Sequence, residues 1–502
     1  MATAGISKVV IVGGGTAGWM AASLLSRIAG PKVKIELVES EAIGTVGVGE
    51  ATIPQIRYLC DALQIPEHQF LAEVNGSYKL GIEFKNWGAL GDSYIHTFGD
   101  TGRRLGILDF HQVWLRAREL GVETDFATYS FNARAARANK FAPVDKLGDT
   151  GIFGIGYAFH FDAALVAKLL RKVAEAQGVK RTEGIVDRVR VDPESGFITD
   201  LTLQSGHQVD GELFIDCSGF RGLLIGDTLK VPYIDWSHWL PANSAIAVQC
   251  ESVEELTPYT IARAHDAGWQ WRIPLQHRTG NGHVYSNQFT TDEKALETLL
   301  TNLDGPATST PKQLRFTTGR RESFWYKNCV ALGLASGFME PLESTSIHLV
   351  QSGISRLVDM FPTTAFSQRD IDEYNRRTVF EYETIRDFLI LHYKATQRDD
   401  SEFWRYCRDM FIPDTLQHKF DMWESHGRFY RAEDELFTSA SWIQVFLGQN
   451  IIPKDCHGIA KVLGEAEVKD YLGQIDGYLG KAVQRMPSHN EYINKTCSYV
   501  LK

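Results

Sequence analysis

Several things are scarce in this chain, and each scarcity closes off a class of protein. The seven cysteines, at 60, 217, 250, 329, 407, 456 and 497, are scattered with no C-x-x-C pair. Buried or incidental thiols in a reducing compartment are therefore expected, not a disulfide frame or a zinc site. Positive charge is in deficit: 52 Lys and Arg against 62 Asp and Glu leave a formal charge of −10. That balance argues against nucleic acid as a partner. Arg134, Arg137 and Lys140 form the one notable basic run, and it reads as a solvated helix face. No apolar run approaches the ~20 residues of a membrane span, and the apolar N-terminus lacks the basic stretch of a leader. A cytoplasmic protein with no membrane contact is expected. HExxH, GxSxG and grouped Cys/His ligands are missing too, so no metal site is expected and hydrolysis by a metal or a serine has no support. There is no repeat of 20–50 residues and no low-complexity tract.

The chain opens on what it does have. Val9-Val10-Ile11-Val12 is a β-branched run that enters Gly13-Gly14-Gly15-Thr16-Ala17-Gly18, and apolar residues at helical spacing (Met20, Leu24, Leu25, Ile28) follow. Gly13, Gly15 and Gly18 stand at GxGxxG spacing. Gly13 permits the tight turn, Gly15 lets a pyrophosphate approach the backbone, and Gly18 lets the helix pack on the strand. The amides of Thr16 and Ala17 then belong to a helix N-terminus aimed at the phosphates. A second apolar strand, Val33 to Val38, ends in Glu39, about twenty residues past the turn, where a carboxylate holds a ribose hydroxyl. Dinucleotide binding follows; FAD and NAD are not separated by this stretch alone.

At 502 residues, 44% hydrophobic and with 11 Trp, the chain has room for about two to four domain-sized units. A glycine-rich loop runs from Gly44 to Thr52, and Pro54 suits the first turn of a helix. Phe161 to Gln177 reads as an amphipathic helix with Gly178 as its stop. Residues 183–216 alternate as short strands ending in Asp216-Cys217-Ser218-Gly219. Residues 231–330 read as mostly strand, and 346–500 as mainly helical. This layout, with its intervening meander and late D-x-x-G, matches FAD-dependent monooxygenases better than NAD-dependent dehydrogenases. The expected fold is α/β (α+β): a FAD-binding Rossmann-type, monooxygenase-like core over 1–345, with substrate-side strands inserted at about 75–110 and 231–330. A mainly helical part, 346–502, caps the substrate site.

The most specific stretch is Gly268-Trp269-Gln270-Trp271-Arg272-Ile273-Pro274. Alternation puts both tryptophans on one face of a strand, next to a proline that ends pairing. W-x-W-x-I-P resembles the hallmark of flavin-dependent halogenases, those similar to the tryptophan halogenases. The GxGxxG, Lys79 and Phe338-Met339-Glu340-Pro341-Leu342-Glu343-Ser344-Thr345 fall at matching places. The resemblance covers most of residues 1–350 and is looser beyond.

The resemblance implies the chemistry. Reduced FAD and oxygen give a flavin hydroperoxide, halide attacks it, and hypohalous acid travels through an internal tunnel to an aromatic substrate. Lys79 matches the lysine that receives the acid, as a haloamine or by hydrogen bonding. Glu343 matches the glutamate beside it, which polarises the acid and takes the ring proton; Glu340 is expected to be structural. Thr345 and Ser346 match the halide-binding amides, where the family usually has glycine at the second position. A left-handed backbone at Ser346 would be costly. Gly49, Glu50 and Ala51 match the strap between flavin and substrate, and Val186 and Leu334 match flavin contacts.

For substrate, His96 and Phe98 match an H-x-F pair that sandwiches an indole, and Trp269, Trp271 and Trp442 are further candidate contacts. A Tyr-Tyr-Glu cluster of the kind that grips an amino-acid backbone is not found. Free tryptophan is therefore disfavoured against indole, a substituted indole, a phenol, a pyrrole or a larger natural product. With one dinucleotide motif and no second site for NAD(P)H, FADH2 is expected from a separate NAD(P)H-dependent flavin reductase, with O2 and chloride or bromide as co-substrates. A monomer or homodimer is expected. Two other readings stand beside this one: a flavin-dependent aromatic hydroxylase and a non-catalytic flavin-binding regulator.

Overall fold

A computed structural model describes residues 4–43, 49–122 and 125–499; most of the glycine-rich loop, 44–48, lies outside them. The chain divides into two compact units. The first is Met1–Asn75, Phe161–His238 and Arg315–Tyr382; the second is Gly76–His160, Trp239–Leu314 and Glu383–Lys502.

The first unit is built on a six-stranded sheet. Its order is Trp325–Tyr326, Cys329–Ala331, Leu213–Asp216, Lys8–Val12, Lys34–Glu39 and Lys180–Glu183. All neighbours are parallel except the outermost pair. Parallel strands covered on both faces carry continuous apolar runs instead of alternation, which is why Val9, Val10 and Ile11 are all fully buried. Each such side chain contributes roughly 1.5–3 kcal/mol on burial. Helices Thr16–Ala29, Ala163–Ala176 and Ser346–Asp359 pack in this unit, the last two against the first. A three-stranded antiparallel meander, Val186–Val191, Ile198–Leu203 and Gln208–Asp210, supplies Leu201 and Leu203 to the same core. The helix expected from Phe161 starts at Ala163, because Phe161 belongs to strand Ala158–Asp162, whose last residue caps the helix by accepting from the amides of Ala164 and Leu165.

The second unit holds a seven-stranded sheet, ordered Lys312–Arg315, Ser244–Cys250, Thr279–Tyr285, Gly268–Pro274, Thr260–His265, Gly81–Lys85 and Ser93–Thr97. Helices from Glu402 to Thr496 make the rest of its C-terminal part mainly helical. The strand-rich block 231–330 contains one helix that was not expected, Asp292–Thr301. Thr291 caps it and Asp292 and Glu293 open it, a local start signal overlooked beside the strands. The basic run is also less solvated than expected: Arg134 pairs with Asp476, Arg137 with Asp125, and Lys140 donates to the carbonyl of Val483.

Candidate active site

The glycine turn is set by contacts that exclude side chains. Gly13 has φ 113°, and a Cβ there would lie 2.2 Å from the carbonyl oxygen of Cys217. A Cβ on Gly18 would lie 1.8 Å from the carbonyl of Gly13. At Gly15 a Cβ would meet nothing within 4 Å, so this glycine keeps a surface clear. Gly15 is also the N-cap of helix Thr16–Ala29, which has no side-chain cap and no acid in its first turn. Its first amides are left for an anion. The residues present therefore fit a dinucleotide pyrophosphate.

Glu39 ends the adjoining strand, with its Oε1 accepting from Arg181 Nε at 2.6 Å and facing the Arg171 guanidinium as an ion pair at 3.8 Å. Its other oxygen lies against Gly14, where a Cβ would fall 1.4 Å away. Gly333 approaches the turn from the far end of the chain: a Cβ on it would sit 2.9 Å from that of Ala17. This brings the half-buried Leu334 beside the flavin motif. Val186 opens the meander opposite Leu203 and packs against the hydrophobic core.

Gly49, Glu50 and Ala51 form a short strand in which Gly49 and Ala51 are buried. Glu50 retains some exposed area but has protein on all sides. That desolvation pushes its carboxyl up to about 7, where it exchanges protons near neutrality.

Glu343 is buried in the turn Pro341–Glu343, and Glu340 ahead of it is fully buried. Thr345 is the N-cap of helix Ser346–Asp359, without a side-chain cap. The left-handed residue of this segment is Ser344, at φ 59°. Ser346 opens the helix, so the backbone cost expected there does not arise.

Lys79 ends strand Ser77–Lys79 in the second unit, paired antiparallel with residues 158–160. Its side chain has no exposed surface, and its Nζ stands 5.2 Å from the centre of the Phe98 ring. Two residues back on the same face is a network that sequence reasoning missed. Ser77 Oγ donates to the carbonyl of Pro274 at 2.8 Å, so its 3.1 Å contact with His160 is one in which Nδ1–H donates. His160 Nε2 then accepts from Thr260 Oγ1 at 2.9 Å. Burial, then the charge of Lys79, hold His160 well below the usual histidine range and neutral. The only sequence signal was a serine at i−2 from the lysine, too common to weigh.

His96 and Phe98 part company. His96 lies in strand Ser93–Thr97, packed 5.5 Å from Phe388 and 6.3 Å from Phe437. The strand ends at Thr97, and Phe98 falls under the Lys79 ammonium. Trp269 and Trp271 share a face as expected, 6.2 Å apart, but both are buried. Trp269 packs on Trp87, and Trp271 covers Gly282 on the next strand, where a Cβ would fall 2.1 Å from its ring. Trp442 is fully buried, stacked on Phe429 with the Lys419 ammonium 4.1 Å from its ring centre. A ring covered in this way has no face to offer a ligand, so the substrate contact expected of Trp442 is corrected to a core role.

A parallel sheet opened by a phosphate-type glycine turn, with a meander and Asp216 at the end of the neighbouring strand, defines a flavoprotein of the Rossmann-type, monooxygenase-like class. The tryptophan halogenase family model matches residues 8–465. The chain is 36% identical over 489 residues to the tryptophan 6-halogenase ThaL of Streptomyces albogriseolus, covering 90% of each. Among solved structures, Xcc4156, a flavin-dependent halogenase from Xanthomonas campestris, is 48% identical with a TM-score of 0.95, over 98% of this chain and 99% of that one. BrvH, a flavin-dependent halogenase from Brevundimonas sp. BAL3, is 41% identical with a TM-score of 0.94 over the same shares. The chain belongs to the tryptophan halogenase family, and with it to the flavin-dependent halogenases. Among the described residues, no helix is long and apolar enough to cross a membrane.

Proposed function

We propose that the protein replaces a ring hydrogen of an indole-like or other electron-rich aromatic with chlorine or bromine. FADH2 comes from a separate NAD(P)H-dependent flavin reductase. Bound reduced flavin, with O2 and halide, supplies hypohalous acid. The turn Gly13–Gly18 and the amides of Thr16 and Ala17 bind the pyrophosphate, and Glu39 holds the ribose. Gly49, Glu50, Ala51, Val186 and Leu334 line the rest of the cofactor site. The amides of Thr345 and Ser346 hold the halide. Lys79 receives the acid, and Glu343 takes the proton that leaves the ring as carbon bonds to halogen, the oxygen departing as water. Phe98, beneath the Lys79 ammonium, orients the ring.

The observation that carries this reading is Lys79. A lysine with no exposed surface is costly unless it serves a purpose, and burial suits an amine that must hold a reactive oxidant away from water. The relatives named for tryptophan act on tryptophan; here free tryptophan is disfavoured, because the chain has no Tyr-Tyr-Glu cluster. The test is product mass after incubation with FAD, a flavin reductase, NADH, bromide and, in separate vessels, indole, phenol, pyrrole and tryptophan. A bromine isotope doublet is expected with indole. A single added oxygen would instead identify a hydroxylase, and unchanged substrates in all vessels a flavin-binding regulator.

A further inference from the structure

The strand that carries Lys79 is short, Ser77–Lys79, and lies at the end of its sheet, paired on one side with residues 158–160. Side chains alternate along a strand, so Tyr78 points away from the face that Ser77 and Lys79 share. A slip of one residue would exchange Tyr78 for Lys79 on that face. So short a ladder gives little protection against it.

The outward N–H groups of an edge strand need partners. Leu80 N–H donates to the carbonyl of Pro258 at 2.7 Å, and Tyr78 N–H donates to His489 Nε2 at 3.2 Å. His489 Nδ1 in turn lies 2.7 Å from the carbonyl of Leu256. A carbonyl can only accept, so Nδ1 carries the hydrogen and Nε2 is left as an acceptor. The ring has no exposed surface, and burial lowers it to about 4 against the pull of the Leu256 carbonyl. Near neutrality it is therefore the uncharged imidazole, standing where a further strand would offer a carbonyl.

His489 opens helix His489–Thr496, which Ser488 caps. Next to it, Asn490 accepts from the Leu256 amide at 3.1 Å and donates to the Glu254 carbonyl at 2.7 Å, fastening the helix start to the same segment. Residues 489, 492 and 496 fall at i, i+3 and i+7, one stripe of the helix, and all three meet Tyr78. The Tyr492 ring stands edge-on at 5.4 Å from that of Tyr78, and Thr496 hydrogen-bonds the Tyr78 hydroxyl. Phe141 stacks on the Tyr78 ring at 4.1 Å.

We propose, resting on the reading of Lys79 as receiver of hypohalous acid, that the C-terminal helix aims this lysine through Tyr78, with His489 as a positioning residue. The helix holds the amide of Tyr78 at the strand edge and its ring on the face opposite Lys79. That pins the register of the strand, and with it the place of the ammonium over Phe98. In a strand free to shift, the acid passes the amine and escapes to solvent instead of reaching the ring.

The test runs the FAD-loaded protein with a flavin reductase, NADH, bromide, indole and an excess of a β-diketone that traps free hypobromous acid. Bromoindole and trapped bromine are counted separately. His489→Leu removes the acceptor and lowers the ratio of bromoindole to trapped bromine at least about fivefold, with the total of the two little changed. His489→Gln keeps an uncharged acceptor within reach of Tyr78 and returns the ratio to within about twofold of wild type. In a Lys79→Met background, where the ratio is already low, His489→Leu lowers it no further. A reduced total at an unchanged ratio would show that the helix serves stability alone and would overturn the inference, as would an additional drop in the Lys79→Met background. A wild-type ratio in Lys79→Met itself overturns the reading of Lys79 and the inference with it. If His489→Leu does not fold, Tyr492→Leu, at a half-buried position on the same stripe, is read in its place: a ratio lowered about twofold or more supports the inference, and an unchanged one overturns it.

Discussion

At the scale of single residues, the site rests on groups whose neighbours exclude the ordinary alternatives. Lys79→Ala removes the buried ammonium over Phe98. Halogenation should fall by at least about 10²-fold, while FAD binding, read from its visible absorbance, is retained. Retained halogenation would remove Lys79 from the chemistry, and Lys79→Met separates loss of the amine from loss of the packed stem. The three glycines should respond differently. A side chain on Gly15 meets only open space, so Gly15→Val should fold with the wild-type melting curve yet purify without flavin. Gly18→Ala drives a methyl into the carbonyl of Gly13 and should lower stability even before flavin is added. Equal flavin occupancy in Gly15→Val and wild type would refute the pyrophosphate assignment.

At the scale of elements, helix Ser346–Asp359 shows how a candidate site is held by something outside it. Its first amides can be aimed only if the helix cannot slide, and Glu381 fixes it at 348, 352 and 356. Glu381→Ala strands Arg356 without its buried counter-charge, a change of about 3–5 kcal/mol. A lowered urea midpoint is expected, with bromide affinity falling alongside it. A variant as stable as wild type would show the clamp to be dispensable. Strand Ser77–Lys79 is held in a comparable way by Ser77, His160 and Thr260, and neither support was legible in sequence. His160 lies 81 residues from Lys79 and Glu381 lies 33 from His348, so only a folded chain brings them together. The glycine turn was legible because strand, turn and helix are consecutive and each glycine answers a local steric demand.

At the scale of the whole molecule, buried histidines set an acid limit. Burial, the leading cause in each case, lowers His111, His160, His265, His283 and His489, with His265 and His489 falling to about 4. Their folded pKa values lie below the unfolded value near 6.5, so below pH 6.5 the unfolded chain binds more protons than the folded one. Stability is then full above about pH 6.5 and is lost as pH falls toward 4, by up to about 1.4 kcal/mol per histidine per pH unit. Thermal melts between about pH 7.5 and pH 5 should show a steady fall in midpoint; a flat profile would mean these rings are not held neutral.

The sequence alone determined the phosphate-type turn, the parallel apolar strands, the helical C-terminal part and, through its motifs, the family. These depend on residues close in the chain, where steric demands and periodicity act locally. Tertiary structure alone decided that Trp442 is core, that His96 and Phe98 face different neighbours, and that a histidine and a glutamate brace the candidate halide helix. Those outcomes turn on which distant side chains share a buried volume, and adjacency in space is written in no single stretch of the chain.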